Sequence, residues 1–311
     1  MDPQAFELPS MPGRPKSAAE VRAMRRSMPF DLLIEALRAF QARPTDICVA
    51  TFPQSGTTWA QQIVHGLRTR GSMDFEEIGV VMPFMEMAPM MGVDVNAPQV
   101  AEPRGFKTHL VWEQVPKGMR YIYVVRDPGD VLVSFYHFMN GSLFEKDTIG
   151  MESFAHDLYI PGDMPWGSYW GHILSWWPKL GAEDVLALCF EDMKSDLEGT
   201  VRRIAKFMGI DADEELVAIA TRQASFEFMS QFPTKFDEHI GQRAMEKAQG
   251  VPPGEPMSKV RTGRTGNRLR ELSEGTRETL DAIWRREIEP VIGMPSYEHL
   301  RAHIASIHAG R

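Results

Sequence analysis

Lys107 and His109 stand two residues apart in the segment RGFKTHL (Arg104 to Leu110), which reads as the end of a strand and so puts both side chains on one face. An imidazole titrating near neutrality can take a proton from a hydroxyl, and a neighbouring ammonium can hold a developing anion. Further along, Arg126 closes the apolar run YIYVV (Tyr121 to Val125), at the strand edge where open α/β sheets present their ligand crevice. Ser134 follows eight residues later, in a helix that Asp127 caps and Pro128 begins, with Asp130 in its first turn. By itself Ser134 is an ordinary helix-surface serine. The third group is the hydroxyl-rich turn of Ser55, Gly56, Thr57 and Thr58.

The elements that must hold these residues are legible around that turn. Ile47 to Phe52 is short, apolar and bounded by turn formers, as a buried parallel strand should be. Pro53 and Gly56 force a turn. From Thr57 the period changes, and Trp59, Ile63 and Leu67 recur every fourth residue on one helical face. A strand, a tight glycine turn and a helix aim backbone N–H groups and the positive helix end at an anion. Set against the pattern G-x-x-x-x-G-K-[ST], Thr51 takes the first glycine position, Gly56 the second, Thr57 the lysine and Thr58 the hydroxyl. Without the lysine an ordinary nucleoside triphosphatase is disfavoured. The remaining readings are a phosphate that is not a Mg²⁺-bound triphosphate, or a plain strand-to-helix turn.

Composition narrows the class. The chain has 311 residues and a net charge of −8, which disfavours a nucleic-acid partner. Its two cysteines, Cys48 and Cys189, lie in apolar strand-like runs and are expected as buried free thiols, suiting a reducing compartment. No run has the length of a membrane span, and MDPQAFELPSMPGRPK lacks an apolar signal core, so the expectation is a cytoplasmic protein without integral membrane association.

In order, 1–16 reads as a loose arm and Pro29 to Gln41 as a short amphipathic helix. Val80 to Val95 carries five methionines and two prolines, fitting either a loop over the core or a pliable apolar wall for a lipophilic ligand. Trp166, Tyr169 and Trp170 sit in an aromatic stretch, helical from Ser168. Val185 to Phe190 is a third strand. Glu191 to Met208 and Asp213 to Ala224 are amphipathic helices, and 244–260 is a long proline-bearing loop. Arg261 to Arg270 packs four arginines and two glycines into a local anion site or a solvated run. A last helix, Ser273 to Glu289, closes the chain. Strands alternating with helices predict one α/β domain over 1–311, with a mainly parallel central sheet flanked by helices and a P-loop-like phosphate-binding loop.

With these pieces in hand, the chain resembles the cytosolic sulfotransferase family from about Phe30 to about Asn267. TFPQSGTTW resembles the family's 5′-phosphosulfate loop, T-Y-P-K-S-G-T-T-W. YVVRDPGDVLVSFYHF resembles its 3′-phosphate motif, and FKTHL the segment with its catalytic histidine. WGSYWGHILSWW, FEDMK, SFEFM and RTGRTGN resemble later family segments in the same order. The resemblance implies transfer of a sulfuryl group from 3′-phosphoadenosine 5′-phosphosulfate (PAPS) to a hydroxyl or amine of a small acceptor, leaving PAP, with no metal. It implies that the backbone at Ser55, Gly56 and Thr57, with the hydroxyls of Thr57 and Thr58, cradles the 5′-phosphate. Trp59 and Phe226 then border the adenine, and Arg126, Ser134, Arg261 and Gly263 hold the 3′-phosphate. His109 takes the acceptor's proton, and Lys107 stabilises the sulfonate.

Two departures stand out. Gln54 replaces the family's loop lysine, so one charged donor at the bridging oxygen is missing and activity is expected to be low or carried more by Lys107. Phe190 replaces a tyrosine near the adenosine. Alternatives from the same residues are a sulfotransferase-fold protein that binds PAP or PAPS with little catalysis, and a small-molecule P-loop kinase. The methionine loop and the aromatics favour an apolar or aromatic acceptor. The family's C-terminal dimer motif is absent, so the sequence sets no oligomeric state.

Overall fold

A computed structural model describes residues 13–257, 259–261, 263 and 265–309 of the chain. At its centre are four strands: β1 (Ile47–Thr51), β2 (Gly105–Thr108), β3 (Arg120–Val125) and β4 (Val185–Cys189). Their order is β2-β1-β3-β4 and every neighbour is parallel. The register pairs Ala50 with Thr108, Thr51 with Val124 and Val125 with Cys189. The strands therefore end together, and the residues just beyond them meet along one edge.

Side chains alternate between two covered faces, which explains why β1, β3 and β4 read as largely apolar runs. Ile47, Val49, Ile122, Val124, Leu186 and Leu188 face one layer, where they bury Ile63, Val64 and Leu67 of helix Thr57–Thr69 and Ile204 of helix Leu197–Met208. Cys48, Ala50, Tyr121, Tyr123, Val125 and Ala187 face the other, against Phe135 and Trp176 from helices Pro128–Met139 and Tyr169–Trp176. Both thiols are free and buried, and burial raises both well above the ordinary thiol range.

Several sequence expectations need correction. Helix His239–Gln249 occupies the start of the stretch read as a loop from 244 to 260, ending at Gly250 in the left-handed region. The two prolines beyond that glycine drew attention from the helix before it. The segment read as one helix from Glu191 to Met208 is two, Phe190–Ser195 and Leu197–Met208. Asp196 divides them, because it caps the second helix from a non-helical backbone, accepting from Gly199 N at 2.9 Å. Phe190 opens a helix rather than ending β4. The helical stretch from Ser273 is followed by a further helix, Tyr297–Ala309, whose Leu300 and Ile304 are buried in the core. Most of the N-terminal arm lies outside the described residues, but Arg14 is anchored. It donates to Ser142 O at 3.1 Å and to Glu246 Oε1 at 2.8 Å.

Candidate active site

The strand edge opens into a cleft of about 340 Å³. Every residue predicted for the site lines it except Ser55, whose side chain is buried beneath the turn. Arg126 and Ser134, on the β3 side, thus meet Lys107 and His109 from the β2 side across the β1 turn.

The turn is built to receive an anion. Gly56 sits at φ +107°, and a Cβ there would meet the Phe190 ring at 2.9 Å. Helix Thr57–Thr69 starts on this glycine with no side-chain cap, so its first N–H groups face the cleft end without a side-chain acceptor. The buried hydroxyls of Ser55 and Thr58 have no hydrogen-bond partner among the described residues. Buried polar atoms normally find partners, and here a phosphate oxygen would supply one. Thr57 Oγ1, by contrast, is paired with Thr51 Oγ1 at 2.6 Å.

Gln54 adopts φ +68°, a left-handed backbone that costs a non-glycine residue about 1–2 kcal/mol. Its carbonyl accepts from Arg126 Nη1 at 3.0 Å, and its amide oxygen accepts from Ser134 Oγ at 3.1 Å. The turn and the expected 3′-phosphate residues are therefore one hydrogen-bonded unit. The Arg126 guanidinium lies 4.2 Å from the centre of the Phe190 ring. Where the sequence suggested only a lost hydrogen bond, Phe190 gives a cation–π platform.

The Arg261-to-Arg270 segment is strapped onto this end. Asp130 accepts from Gly266 N at 2.7 Å and from Arg268 N at 2.8 Å, and Lys194 Nζ donates to Gly263 O at 2.6 Å. Gly263, at φ +58°, is packed so that a Cβ would meet Phe226 at 2.6 Å. Trp59 donates its indole N–H to Ala224 O at 2.7 Å, fixing the phosphate helix to the segment that carries Phe226. Of this strap, Thr262 and Arg264 lie outside the described residues.

At the other end, His109 Nδ1 donates to Thr51 O at 2.8 Å, and its ring stands edge-on to Phe84 and Trp166. Burial, reinforced by Lys107, pushes the imidazole down to about 3, so it is neutral. The near-neutral value expected from sequence is corrected by its low-dielectric setting. Behind it, Glu86 accepts from His109 N at 2.7 Å and from Thr108 Oγ1 at 2.9 Å. Burial raises that carboxyl to about 7.

Sequence reasoning missed Phe84, Glu86, Glu238 and Lys259. Glu238 bonds both Lys107 and Lys259, the latter at 2.5 Å. Nothing in the spacing of Glu238 or Lys259 marks them, since the contacts span 131 and 21 residues. The methionine wall is also corrected. Met82 and Met85 are fully buried in the core, and from Val80 to Val95 the cleft takes only Phe84. Trp166 lines the cleft, whereas Tyr169 and Trp170 belong to the core.

The sulfotransferase domain family matches residues 44–291, and the chain belongs to it. Human sulfotransferase 1C2 is 28% identical over 263 residues, covering 81% of this chain and 86% of the relative. Mouse sulfotransferase SULT7A1, solved with PAP, superposes with a TM-score of 0.63 at 22% identity, covering 83% of this chain and 90% of that one. Retinol dehydratase, solved with retinol and PAP, gives a TM-score of 0.68 at 20% identity over 84% and 86% of the two chains. The protein is thus a sulfotransferase on a single α/β domain with an all-parallel sheet. None of its described helices is long and apolar enough to cross a membrane.

Proposed function

We propose that the protein moves the sulfuryl group of PAPS to a hydroxyl, or an amine, of an apolar or aromatic small molecule in the cytoplasm. The observation that carries this reading is the neutral His109. Its Nδ1 is committed to a backbone carbonyl, its Nε2 is left as the acceptor, and aromatic rings flank it in the cleft that also holds Arg126 and Ser134.

PAPS supplies an activated sulfuryl group on a phosphate leaving group. The chain's own residues bind, orient and move a proton. The free N–H groups at Gly56 and Thr57 and the orphaned hydroxyls of Ser55 and Thr58 match the oxygens of a 5′-phosphate. Arg126, Ser134, Arg261 and Gly263 form the polar end suited to a 3′-phosphate, with Trp59, Phe190 and Phe226 beside the base. His109 Nε2 accepts the acceptor's proton as its oxygen bonds sulfur, and the Lys107 ammonium faces the negative charge. Phe84, Phe138 and Trp166 set the acceptor class by leaving polar hydroxyls of a sugar unpaired. No residue role in this scheme calls for a metal.

One feature favours a second reading, a protein that binds PAP or PAPS and transfers slowly: Gln54 brings no charge and its amide is turned to Ser134. Single-turnover transfer to phenols, long-chain alcohols, amines and sugars, with PAP, AMP and ATP binding measured with and without Mg²⁺, tests both. Transfer to phenols or alcohols with Mg²⁺-independent preference for PAP is expected. PAP binding without transfer would favour the second reading, sugars outperforming phenols would overturn the acceptor class, and Mg²⁺-dependent ATP binding would return the kinase reading.

A further inference from the structure

Glu238 is in an unusual position for a helix-capping residue. It precedes helix His239–Gln249, yet its side chain makes no bond to that helix and instead joins Lys107 and Lys259. The backbone around it is held in place. His239 N–H and Nδ1 both point at Asp237 Oδ1, at 3.2 and 2.5 Å, and Glu77 Oε2 accepts from Ile240 N at 3.0 Å. Lys107 and Lys259 are almost wholly buried, at 4% and 11% side-chain exposure. All three groups line the cleft, and all three act electrostatically on His109. Two ammonium groups thus share the Glu238 carboxylate beside the acid–base residue, and Glu77 adds a further carboxylate near Lys259.

The phosphate turn lacks the cation that this chemistry needs beside a departing oxygen. Gln54 can donate only a neutral hydrogen bond, and its amide oxygen accepts from Ser134 Oγ. A second ammonium nevertheless reaches the cleft, from the segment that runs directly into Arg261 and Gly263.

We propose that Lys259 is a second cationic residue of the sulfonate site, standing in for the charge that Gln54 does not bring, and that Glu238 positions it beside Lys107. The inference rests on the PAPS reading above. As the bond between sulfur and the bridging oxygen breaks, the electron pair stays on that oxygen. The acceptor oxygen bonds sulfur and its proton passes to His109. Lys259 meets the charge on the sulfonate and bridging oxygens, transferring no proton itself. Burial, opposed by Glu238, brings the Lys259 ammonium down to about 8, so it is charged at neutral pH yet reactive toward amine reagents in mild alkali.

Two measurements on the full chain test this. The first needs no variant. Lysine acylation at pH 8, read by mass spectrometry, should be slowed at Lys259 by PAPS and much less by PAP, which lacks only the sulfonate. Equal protection by both, or by neither, overturns the assignment. The second compares the parent with Lys259→Met. Single-turnover transfer should fall about 100-fold, PAP affinity should stay within about threefold, and the parent's preference for PAPS over PAP should shrink about tenfold. Adding Gln54→Lys to Lys259→Met should recover a large part of the lost rate, because the cation then arrives from the other side. A purely structural lysine would weaken PAP and PAPS alike and show no such rescue. If the parent itself binds no PAP, the nucleotide reading fails and the role of Lys259 falls with it. If the parent binds and transfers while Lys259→Met matches it, only the role of Lys259 is overturned.

Discussion

His109 Nδ1 lies 2.8 Å from the carbonyl oxygen of Thr51, the last residue of β1 and the first of the phosphate turn. A carbonyl only accepts, so this contact fixes the proton on Nδ1 and leaves the Nε2 lone pair as the base. The residue that takes the proton and the loop that holds the nucleotide are thereby set at a fixed distance by one backbone atom.

From this, His109→Ala should lower turnover by about 100- to 10,000-fold and leave PAP affinity nearly unchanged, measured by single-turnover assay and calorimetry on one preparation. The buried imidazole titrates at about 3, so it is already the free base throughout pH 5–8. The parent's rate should show no acid limb near pH 6.5. A tenfold loss per pH unit below that value would mean that the imidazole is solvated and charged during turnover.

Gln54→Lys should raise the rate of transfer more than it changes PAPS affinity, since the added charge meets its partner only as the bridging oxygen leaves. It also removes the acceptor that Ser134 Oγ now uses at 3.1 Å. Freed from that bond, Ser134 can turn to a 3′-phosphate, so PAP affinity is expected to hold or improve slightly. A variant that binds PAP normally but transfers no faster shows that the turn position does not limit the enzyme.

Arg126→Ala should abolish most of the preference for PAP over AMP, because charged hydrogen bonds are worth roughly 1.5–3 kcal/mol each. Its loss also removes the bond to Gln54 O and the contact over Phe190. Some AMP affinity should therefore go too, but less. Equal losses for PAP and AMP in calorimetry would place the 3′-phosphate elsewhere.

Glu86 links pH to stability. Its carboxyl is raised from 4.5 to about 7 by burial. Between those values the folded protein keeps a proton that the unfolded chain has released. Stability from this group is present below pH 4.5, falls as pH rises through the window, and is lost by about 3 kcal/mol above pH 7. His65 and His109, lowered to about 4 and about 3, act in the opposite direction, adding stability as pH rises toward 6.5. The comparison with Glu86→Gln isolates the carboxyl. The variant's unfolding midpoint in urea should gain on the parent's from pH 5 to pH 7.5. Parallel curves would show that Glu86 is ionised across the range.

What the sequence made legible was local. The β1 turn, the caps at Asp127 and Pro128, and the pairing of Lys107 with His109 are set by neighbours in the chain, and periodicity or turn chemistry marks each. What escaped was set by distance in the chain. Glu238 reaches Lys107 across 131 residues, and the depressed imidazole of His109 reflects a dielectric that no local pattern encodes. The methionine-rich stretch misled because Met82 and Met85 fill the core beneath the one residue, Phe84, that faces the cleft. Helix Tyr297–Ala309 had a signal in the spacing of Tyr297, Leu300 and Ile304, which the polar residues between them masked.

The two ends of the cleft are inherited on different terms. The base and the guanidinium sit one residue beyond strands paired in fixed register and the turn follows directly from β1, so a slip in any of these strands would spoil them together. Trp166 stands on an irregular segment outside the sheet and belongs to neither the turn, the strap nor the guanidinium pocket, whereas Phe84 is bridged to Lys107 of β2. Mutational drift at Trp166 can therefore retune which molecules are accepted while the donor machinery stays intact, making acceptor range the more evolvable trait of this scaffold.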